Sequence, residues 1–375
     1  MLTYGMVGGS MSGFIGEVHR KAINFDPRAK MVAGCFSTDD AKNKQVQEVY
    51  SVDRIYSNYS EMAQAEGQRP DGIDFVVIVT PNSTHYDIAK HFLLNGINVV
   101  CEKPLCFSIE QAEDLERIVK EKNLVFAVTY TYTGYTLTRV MKEMIAEGKI
   151  GNILSVNAEY IQDWLLDEVT SPGSANNLSV WRKDPKLSGI SNCVGDIGSH
   201  IENYIQYVTG LKIKRLLATT NTFGQKLDLN ANIIVEYDNG ANGAYWCSQV
   251  ASGRLNDLYV RIYGDLGSLE WRQEQPDVLK YTPKGQATEV ISRGTSYIKE
   301  NSASEARVPS GHPEGLFVAF ANIYRDVISD IIARKNNEPF NKFCSYPSIT
   351  DGLNGVKFIH AVINSAKNNS GWQEI

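Results

Sequence analysis

A chain of 375 residues is long enough for two domains and a large core, and its 43% hydrophobic and 21% charged residues are ordinary for a globular protein. The net charge of -6 predicts no nucleic-acid or membrane partner, and no apolar run approaches the roughly 18 residues of a membrane span. We therefore expect a cytoplasmic protein, and we expect its six cysteines, which form no CxxC pair, to be buried thiols.

The chain begins with a short apolar strand that runs into clustered glycines and then into a helix-like segment. Gly8, Ser10 and Gly13 occupy the three positions of a GxGxxG pattern, in which glycine lets the backbone approach a pyrophosphate. Because serine replaces the middle glycine, the motif alone fits either a dinucleotide site or a plain tight turn. On the first interpretation, the residues of this turn that bind the cofactor are Gly8, Gly9, Ser10, Met11 and Gly13.

A second strand is predicted over 31–36, and in an NAD site an acidic residue after such a strand would hydrogen-bond a ribose. This chain has Ser37 there, and Asp39 either reaches the ribose or caps the next helix. No arginine stands beside Ser37 to receive a 2′-phosphate. The sequence therefore favours NAD, with NADP left open, and Ser37 is a predicted cofactor contact.

Two more buried strands, over 74–79 and 98–101, end in the polar turns 80–85 and 102–104. Because parallel strands present their carboxyl ends at one edge of a sheet, these turns and the glycine turn would face one crevice. Lys103 either caps its strand in solvent or is kept there for chemistry. The cofactor contacts predicted in these turns are Thr80, Pro81, Asn82, His85, Glu102 and Lys103.

Strands and helices alternate up to about residue 128. Ser108 and Gln111 have the spacing of a capping box at the start of a helix, and residues 124–128 supply one more strand. This alternation predicts an α/β, doubly wound parallel sheet of the Rossmann type over 1–128.

The second part of the chain has a different pattern. Residues 155–160 alternate with period two, and an Asn-Gly pair at 239–240 joins two apolar runs as a hairpin. Long helices are predicted near 314–334 and 350–367. We therefore predict an α+β domain over 129–375, with a large, open-faced, mostly antiparallel sheet. An exposed sheet face of this size must be covered by another surface, so we predict a homo-oligomer, either a dimer or a tetramer, assembled through this sheet.

A second group of chemically active residues lies in the segment 195–203. If this is the first turn of a helix, Asp196 and His200 project from one face, where an acid and an imidazole can move protons. An N-cap aspartate beside an unrelated histidine explains the same residues. No further ligands stand at zinc-site spacing, so no metal is predicted.

The glycine turn, residues 80–85, the Glu-Lys-Pro of 102–104 and the Asp-Ile-Gly-Ser-His of 196–200, in this order, resemble the Gfo/Idh/MocA family of glucose-fructose oxidoreductases and inositol dehydrogenases. The resemblance covers essentially the whole chain. It implies a nicotinamide cofactor and a sugar or cyclitol substrate. It also implies that Lys103, Asp196 and His200 are catalytic, and that Trp181 and Arg182 approach the cofactor.

This sequence departs from the family pattern in two places. Ser10 replaces a usual glycine, and residues 188–193 replace a glycine-rich segment before Asp196. The base that takes the proton of a secondary alcohol is either His200, because imidazole titrates near neutral pH, or Lys103. Asp196 would orient the substrate hydroxyls or the imidazole.

An amide, an acid and an indole follow the strand at 155–160, and this combination is typical of carbohydrate sites. A structural tryptophan explains Trp164 equally well, and His312 either binds substrate or starts the long helix. Tyr130 is a further pocket candidate. The predicted substrate contacts are Tyr132, Gln162, Asp163, Trp164 and His312.

The predicted function is NAD(P)-dependent hydride transfer at a secondary hydroxyl of a sugar, sugar derivative or cyclitol. One alternative is a glycosidase or lyase that oxidises the sugar transiently. The other is a noncatalytic dinucleotide-binding sensor.

Overall fold

The structure is a computed structural model that forms two compact units. The first contains Met1–Gly134 and Leu316–Leu353, and the second contains Tyr135–Gly315 and Asn354–Ile375. The residues that it describes are 1–11, 13–170, 184–298, 306–339 and 345–375.

The strands are β1 (Leu2–Gly8), β2 (Ala29–Cys35), β3 (Arg54–Ile55), β4 (Phe75–Val79), β5 (Asn98–Cys101), β6 (Phe126–Val128), β7 (Ile153–Ile161), β8 (Ile213–Asn221), β9 (Asn230–Tyr237), β10 (Asn242–Ser248), β11 (Asp257–Gly264), β12 (Gly267–Arg272), β13 (Val278–Pro283), β14 (Glu289–Ser292) and β15 (Gln373–Glu374). The α-helices are α1 (Phe14–Ile23), α2 (Asp40–Tyr50), α3 (Tyr59–Gln68), α4 (His85–Leu94), α5 (Ile109–Lys122), α6 (Thr136–Ala146), α7 (Leu166–Thr170), α8 (Pro185–Ser188), α9 (Ser199–Thr209), α10 (Leu316–Lys335) and α11 (Ile349–Lys367). A π-helix covers Val194–Gly198, and 3-10 turns cover Asn82–Thr84 and Thr131–Gly134.

The first unit is built on a parallel sheet of six strands in the order β3-β2-β1-β4-β5-β6. Every residue of β4 is buried, as expected of a parallel strand that helices cover on both faces. Phe320, Tyr324 and Val327 of α10 join the core of this unit. The predicted doubly wound parallel sheet is confirmed.

The second unit contains a sheet of nine strands in the order β14-β13-β12-β11-β7-β10-β9-β8-β15. Only the β7–β10 pair is parallel among the described strands of this sheet, so the predicted, mostly antiparallel sheet is confirmed. Helices pack on one face, where Tyr204 of α9 stacks on Trp271 with ring centroids 5.2 Å apart. On β9 buried residues alternate with more exposed ones, which is the pattern of a sheet with one covered face.

No helix of the described residues is both long and apolar enough to cross a bilayer. Five of the cysteines are buried and free, as predicted, and Cys344 lies outside the described residues.

Candidate active site

The glycine turn after β1 needs glycine for two reasons. Gly8 and Gly9 have φ values of +82° and +75°, a conformation that residues with a Cβ rarely adopt. A Cβ on Gly8 would also lie 2.8 Å from Cγ2 of Thr80, so the turns after β1 and β4 pack directly together. The backbone is therefore open to close approach where the dinucleotide motif requires it.

A second close approach falls on Gly16, which sequence reasoning did not single out. A Cβ there would lie 2.4 Å from Cα of Gly9. The N-cap of α1 is Gly13, where a Cβ would meet only the Ser10 carbonyl oxygen, at an ordinary 3.5 Å. The close packing of α1 against the glycine turn thus depends on Gly16, which lies three residues after Gly13, the last glycine of the GxGxxG pattern.

The turn after β2 is shaped by Asn43, which is buried and which sequence reasoning missed. Its Oδ1 accepts the backbone N–H groups of Phe36 and Ser37, both at 2.9 Å. Asp39 accepts the Ala41 N–H at 2.9 Å and caps α2. Of the two roles predicted for Asp39, the structure displays the helix cap. Ser37 lies half-buried at the end of β2.

His85 joins the turns after β4 and β5. Its ring is buried, with Nδ1 2.9 Å from the Pro104 carbonyl oxygen and Nε2 2.9 Å from that of Thr80. Burial lowers the pKa of His85, although both carbonyl oxygens favour the protonated ring. The structure therefore shows His85 fixing two loops. Pro81 and Asn82 lie in the turn that it holds.

Glu102 turns inward from the end of β5, with its side chain 12% exposed. Its Oε1 lies 2.9 Å from Nε2 of His19 and accepts the Thr129 hydroxyl at 2.6 Å, while its Oε2 accepts the Lys103 backbone N–H at 3.3 Å. Burial raises the pKa of Glu102, but the His19 hydrogen bond and the Lys103 charge outweigh it, so the net pKa lies below the ordinary value. A buried carboxylate therefore anchors the backbone of Lys103, which is itself half-buried.

His19 connects Glu102 to α10, because its Nδ1 is hydrogen-bonded to the Tyr324 hydroxyl. Burial raises the pKa of Tyr324 well above its ordinary value, so the phenol keeps its proton. The Glu102 carboxylate can only accept a hydrogen bond when it is ionised, so Nε2 of His19 donates to it. Three side chains far apart in sequence thus form one buried relay, and sequence reasoning identified only Glu102.

We expect this relay to behave as one unit in mutagenesis. His19→Leu removes a donor to a buried carboxylate and should lower the free energy of unfolding by about 1–3 kcal/mol. Tyr324→Phe alone should lower the free energy of unfolding by less than His19→Leu does. In a protein that already carries His19→Leu, adding Tyr324→Phe should have little further effect, because the hydrogen bond between the two side chains is already lost. Urea unfolding of both single variants and the double variant measures this coupling. Strictly additive losses would contradict it.

In the second unit, Asp196 lies within the π-helix rather than at a helix N-cap. Its Oδ2 accepts a 3.0 Å hydrogen bond from Nε2 of Gln249, and Oε1 of Gln249 accepts Nδ2 of Asn192 at 2.9 Å. The carboxylate of Asp228 accepts the N–H groups of Asn192 and Val194 at 2.9 and 2.8 Å. Burial raises the pKa of Asp228. Gln249 and Asp228, which sequence reasoning missed, therefore fix the position of Asp196.

His200 follows on α9, where it is only 6% exposed and its ring centroid lies 5.9 Å from that of Tyr160. The two residues do not share the first turn of one α-helix, because Asp196 belongs to a π-helix and His200 to the α-helix that continues it. A Cβ on Gly198 would lie 3.2 Å from Sγ of Cys247, so this residue lets the helix approach β10 closely. π-Helices of this kind occur often at functional sites.

The residues after β7 form a polar cluster with Asn256, another residue that sequence reasoning missed. Its Oδ1 accepts the Tyr160 hydroxyl at 2.7 Å and Nε2 of Gln162 at 2.6 Å. Oε1 of Gln162 accepts the Trp164 indole N–H at 2.8 Å. Asp163 instead accepts the Gly253 N–H at 2.9 Å and holds a turn.

The remaining predicted residues are spread over both units. Tyr132 is buried in a 3-10 turn of the first unit. Tyr130 is also buried and lies just before that turn. His312 is exposed in the second unit, and its carbonyl oxygen accepts a hydrogen bond from Arg293. Trp181 and Arg182 lie outside the described residues. Within the described ranges, no group of three or more His, Cys, Asp and Glu side chains is arranged to hold a metal ion.

Comparison with protein families gives two matches along the chain. Residues 2–130 match the model of the oxidoreductase family, NAD-binding Rossmann fold, and residues 138–270 match the GFO/IDH/MocA C-terminal domain. The oxidoreductase YfiI of Bacillus subtilis (strain 168) is 33% identical over 382 residues, covering 100% of this chain and 96% of YfiI. Levoglucosan dehydrogenase of Pseudarthrobacter phenanthrenivorans is 30% identical over 56% of this chain and 58% of that protein.

Among solved structures, an inositol dehydrogenase homolog from Azotobacter vinelandii complexed with NAD+ is similar over all of this chain. It is 34% identical, with a TM-score of 0.94, and 97% of that chain is covered. The structure of an inositol dehydrogenase homolog from the same organism with NADH and myo-inositol is 32% identical, with a TM-score of 0.92, and covers 100% of this chain and 97% of that chain.

Proposed function

The chain belongs to the Gfo/Idh/MocA family of oxidoreductases, and on that premise we propose that it transfers a hydride between a secondary hydroxyl of a sugar or cyclitol and NAD. One observation carries this proposal. A glycine turn suited to a dinucleotide and the half-buried Lys103 follow strands of one parallel sheet, β1 and β5, with only β4 between them. In such sheets ligands bind at the carboxyl ends of the strands.

The residues of the first unit fit a dinucleotide. Gly8 and Gly9 leave the backbone uncovered for a pyrophosphate, and Thr80 packs against the same turn. Ser37 at the end of β2 carries no positive charge to attract a 2′-phosphate, which supports NAD over NADP. When bound, the nicotinamide ring accepts the hydride from the substrate carbon or returns it.

Residues of the protein take up the proton that the substrate hydroxyl loses. We assign the base to His200, because imidazole takes up a proton near neutral pH. Lys103 donates a hydrogen bond to the substrate oxygen and stabilises the negative charge that develops there. Asp196 orients substrate hydroxyls, with its own carboxylate held by Gln249.

A polyol substrate is supported by the chemistry of the cluster after β7. Gln162 and Asn256 offer amide groups and Trp164 offers an aromatic face that is 39% exposed, which together suit hydroxyls and C–H patches. The myo-inositol and levoglucosan in the names of the relatives support the same class. The cyclitol or sugar ring is therefore the substrate class that we propose.

The test is a panel of cyclitols, aldoses, anhydrosugars and glycosides with NAD and with NADP, scored by absorbance of the reduced nicotinamide. We expect NADH to accumulate with at least one cyclitol or sugar, and more slowly or not at all with NADP. Bond cleavage without accumulation would instead identify a glycosidase or lyase that oxidises its substrate transiently. Binding of NAD with no turnover of any compound would favour a sensor.

The sheet of the second unit exposes apolar side chains. Leu154 and Ile234, on β7 and β9, are 57% and 42% exposed on a sheet that helices cover on one face. We infer that this exposed side forms the interface of a homo-oligomer, and we place the protein in the cytoplasm.

A further inference from the structure

Directly beneath the glycine turn lies Arg20 of α1, which is 2% exposed. Its Nη1 donates to the Gly9 carbonyl oxygen at 2.6 Å and lies 3.4 Å from Sδ of Met6. Its Cζ stands 4.5 Å from the centroid of the Tyr50 ring. The partners of this guanidinium are thus a carbonyl, a thioether and an aromatic face, none of which carries a formal charge.

A buried cation usually has a carboxylate partner, because removing it from water is costly. Arg20 forms no ion pair within 4.0 Å among the described residues, and its Nε is buried there without a hydrogen-bond partner. The acid one turn earlier on the same helix, Glu17, is half exposed and pairs with Lys21 at 2.6 Å. The positive charge of Arg20 is therefore only partly compensated.

We propose that Arg20 is the buried counter-charge for the pyrophosphate of the dinucleotide and the positioning residue of the turn that binds it. This inference rests on the proposed nicotinamide-dependent function. Because a trans peptide directs its C=O and N–H oppositely, the bond that holds the Gly9 carbonyl toward Arg20 aims the Ser10 N–H to the other side of the turn. That other side of the turn is where the dinucleotide motif places the pyrophosphate.

Charge acts through the turn as well. Gly8 and Gly9 place no side chain between Arg20 and a ligand on the far side, and a guanidinium that is only 2% exposed is weakly screened by solvent. The N-terminus of α1 adds its own partial positive charge at the same place. Arg20 therefore attracts the pyrophosphate without touching it, and the ligand supplies the negative charge that no ion pair provides to Arg20 among the described residues.

The experiment compares a ligand that has the pyrophosphate with one that lacks it. ADP-ribose and adenosine are titrated by calorimetry into the wild type, Arg20→Met and the control Lys21→Met, which removes a neighbouring but exposed charge. We expect Arg20→Met to weaken ADP-ribose binding about tenfold or more and to leave adenosine binding within about twofold. Arg20→Lys should recover part of the loss, and Lys21→Met should match the wild type.

A purely structural role predicts a different result. Both ligands would then weaken by the same factor, or ADP-ribose would bind as in the wild type, and either outcome would overturn the inference. Arg20→Lys binding ADP-ribose as weakly as Arg20→Met would overturn it too. If Arg20→Met does not fold, Arg20→Gln takes its place with the same expectations. A wild type that binds neither ADP-ribose nor NAD would refute the proposed function itself.

Discussion

Replacing Lys103 with methionine is expected to lower kcat by about 10²–10⁴-fold, the usual effect of removing a group that assists proton transfer. The substitution keeps an unbranched side chain that reaches as far as Cε but removes the ammonium. NADH binding should weaken much less than kcat falls, because Lys103 is only one of the predicted cofactor contacts and the glycine turn at Gly8 and Gly9 is unchanged. Steady-state kinetics and NADH fluorescence titration measure the two quantities separately. A kcat within about threefold of the wild type would exclude Lys103 from the chemistry.

The same experiment decides which residue is the base. His200→Gln removes the imidazole, and if His200 is the base, the fall of kcat on the acidic side of the pH profile should disappear with it. In Lys103→Met that fall should persist at a lower overall rate. Lys103→Arg, which keeps the positive charge, should retain more activity than Lys103→Met if Lys103 acts as an electrostatic partner. The opposite pattern would assign the base to Lys103.

The location of Lys103 could be predicted because it depends on local features. An apolar run of the length of β5, stopped by Pro104, predicts a buried strand and its end point. The parallel alternation then predicts which strand ends adjoin, and the structure agrees, since the Glu102 N–H bonds to the carbonyl oxygen of Ile78 in β4 at 3.0 Å. Hydrophobic periodicity and turn-forming residues depend only on residues that are close in sequence, so one sequence is enough to predict both.

The relay behind Lys103 could not be predicted, because its members meet only in the fold. His19 and Tyr324 are separated by 305 positions. The helical pattern predicts a helix near Tyr324 but carries no information on which sheet that helix covers, and α10 returns to the first unit. The roles of Gln249 and Asn256 could not be predicted for the same reason, because their hydrogen-bond partners lie on other elements. A buried arginine such as Arg20 gives no local signal at all.

Gly16→Ala is expected to lower the free energy of unfolding by about 3 kcal/mol and to abolish tight NADH binding, since overpacking against backbone cannot be relieved by a side-chain rotation. The new Cβ would lie 2.4 Å from Cα of Gly9 and 3.2 Å from its carbonyl carbon and oxygen. The turn must shift to make room. That shift would also move the Gly9 carbonyl away from Arg20.

Gly13→Ala is the matched control for this prediction. Gly13 has a φ of -100°, and its added Cβ would meet only the Ser10 carbonyl oxygen at 3.5 Å, so we expect a loss below about 1 kcal/mol and near-normal NADH binding. Alignment to the GxGxxG motif predicts the reverse order, because it gives the close helix packing to Gly13. Urea unfolding and NADH titration of the two variants therefore separate the roles. If Gly13→Ala were the more damaging change, the helix would pack on the turn through Gly13, as the motif has it.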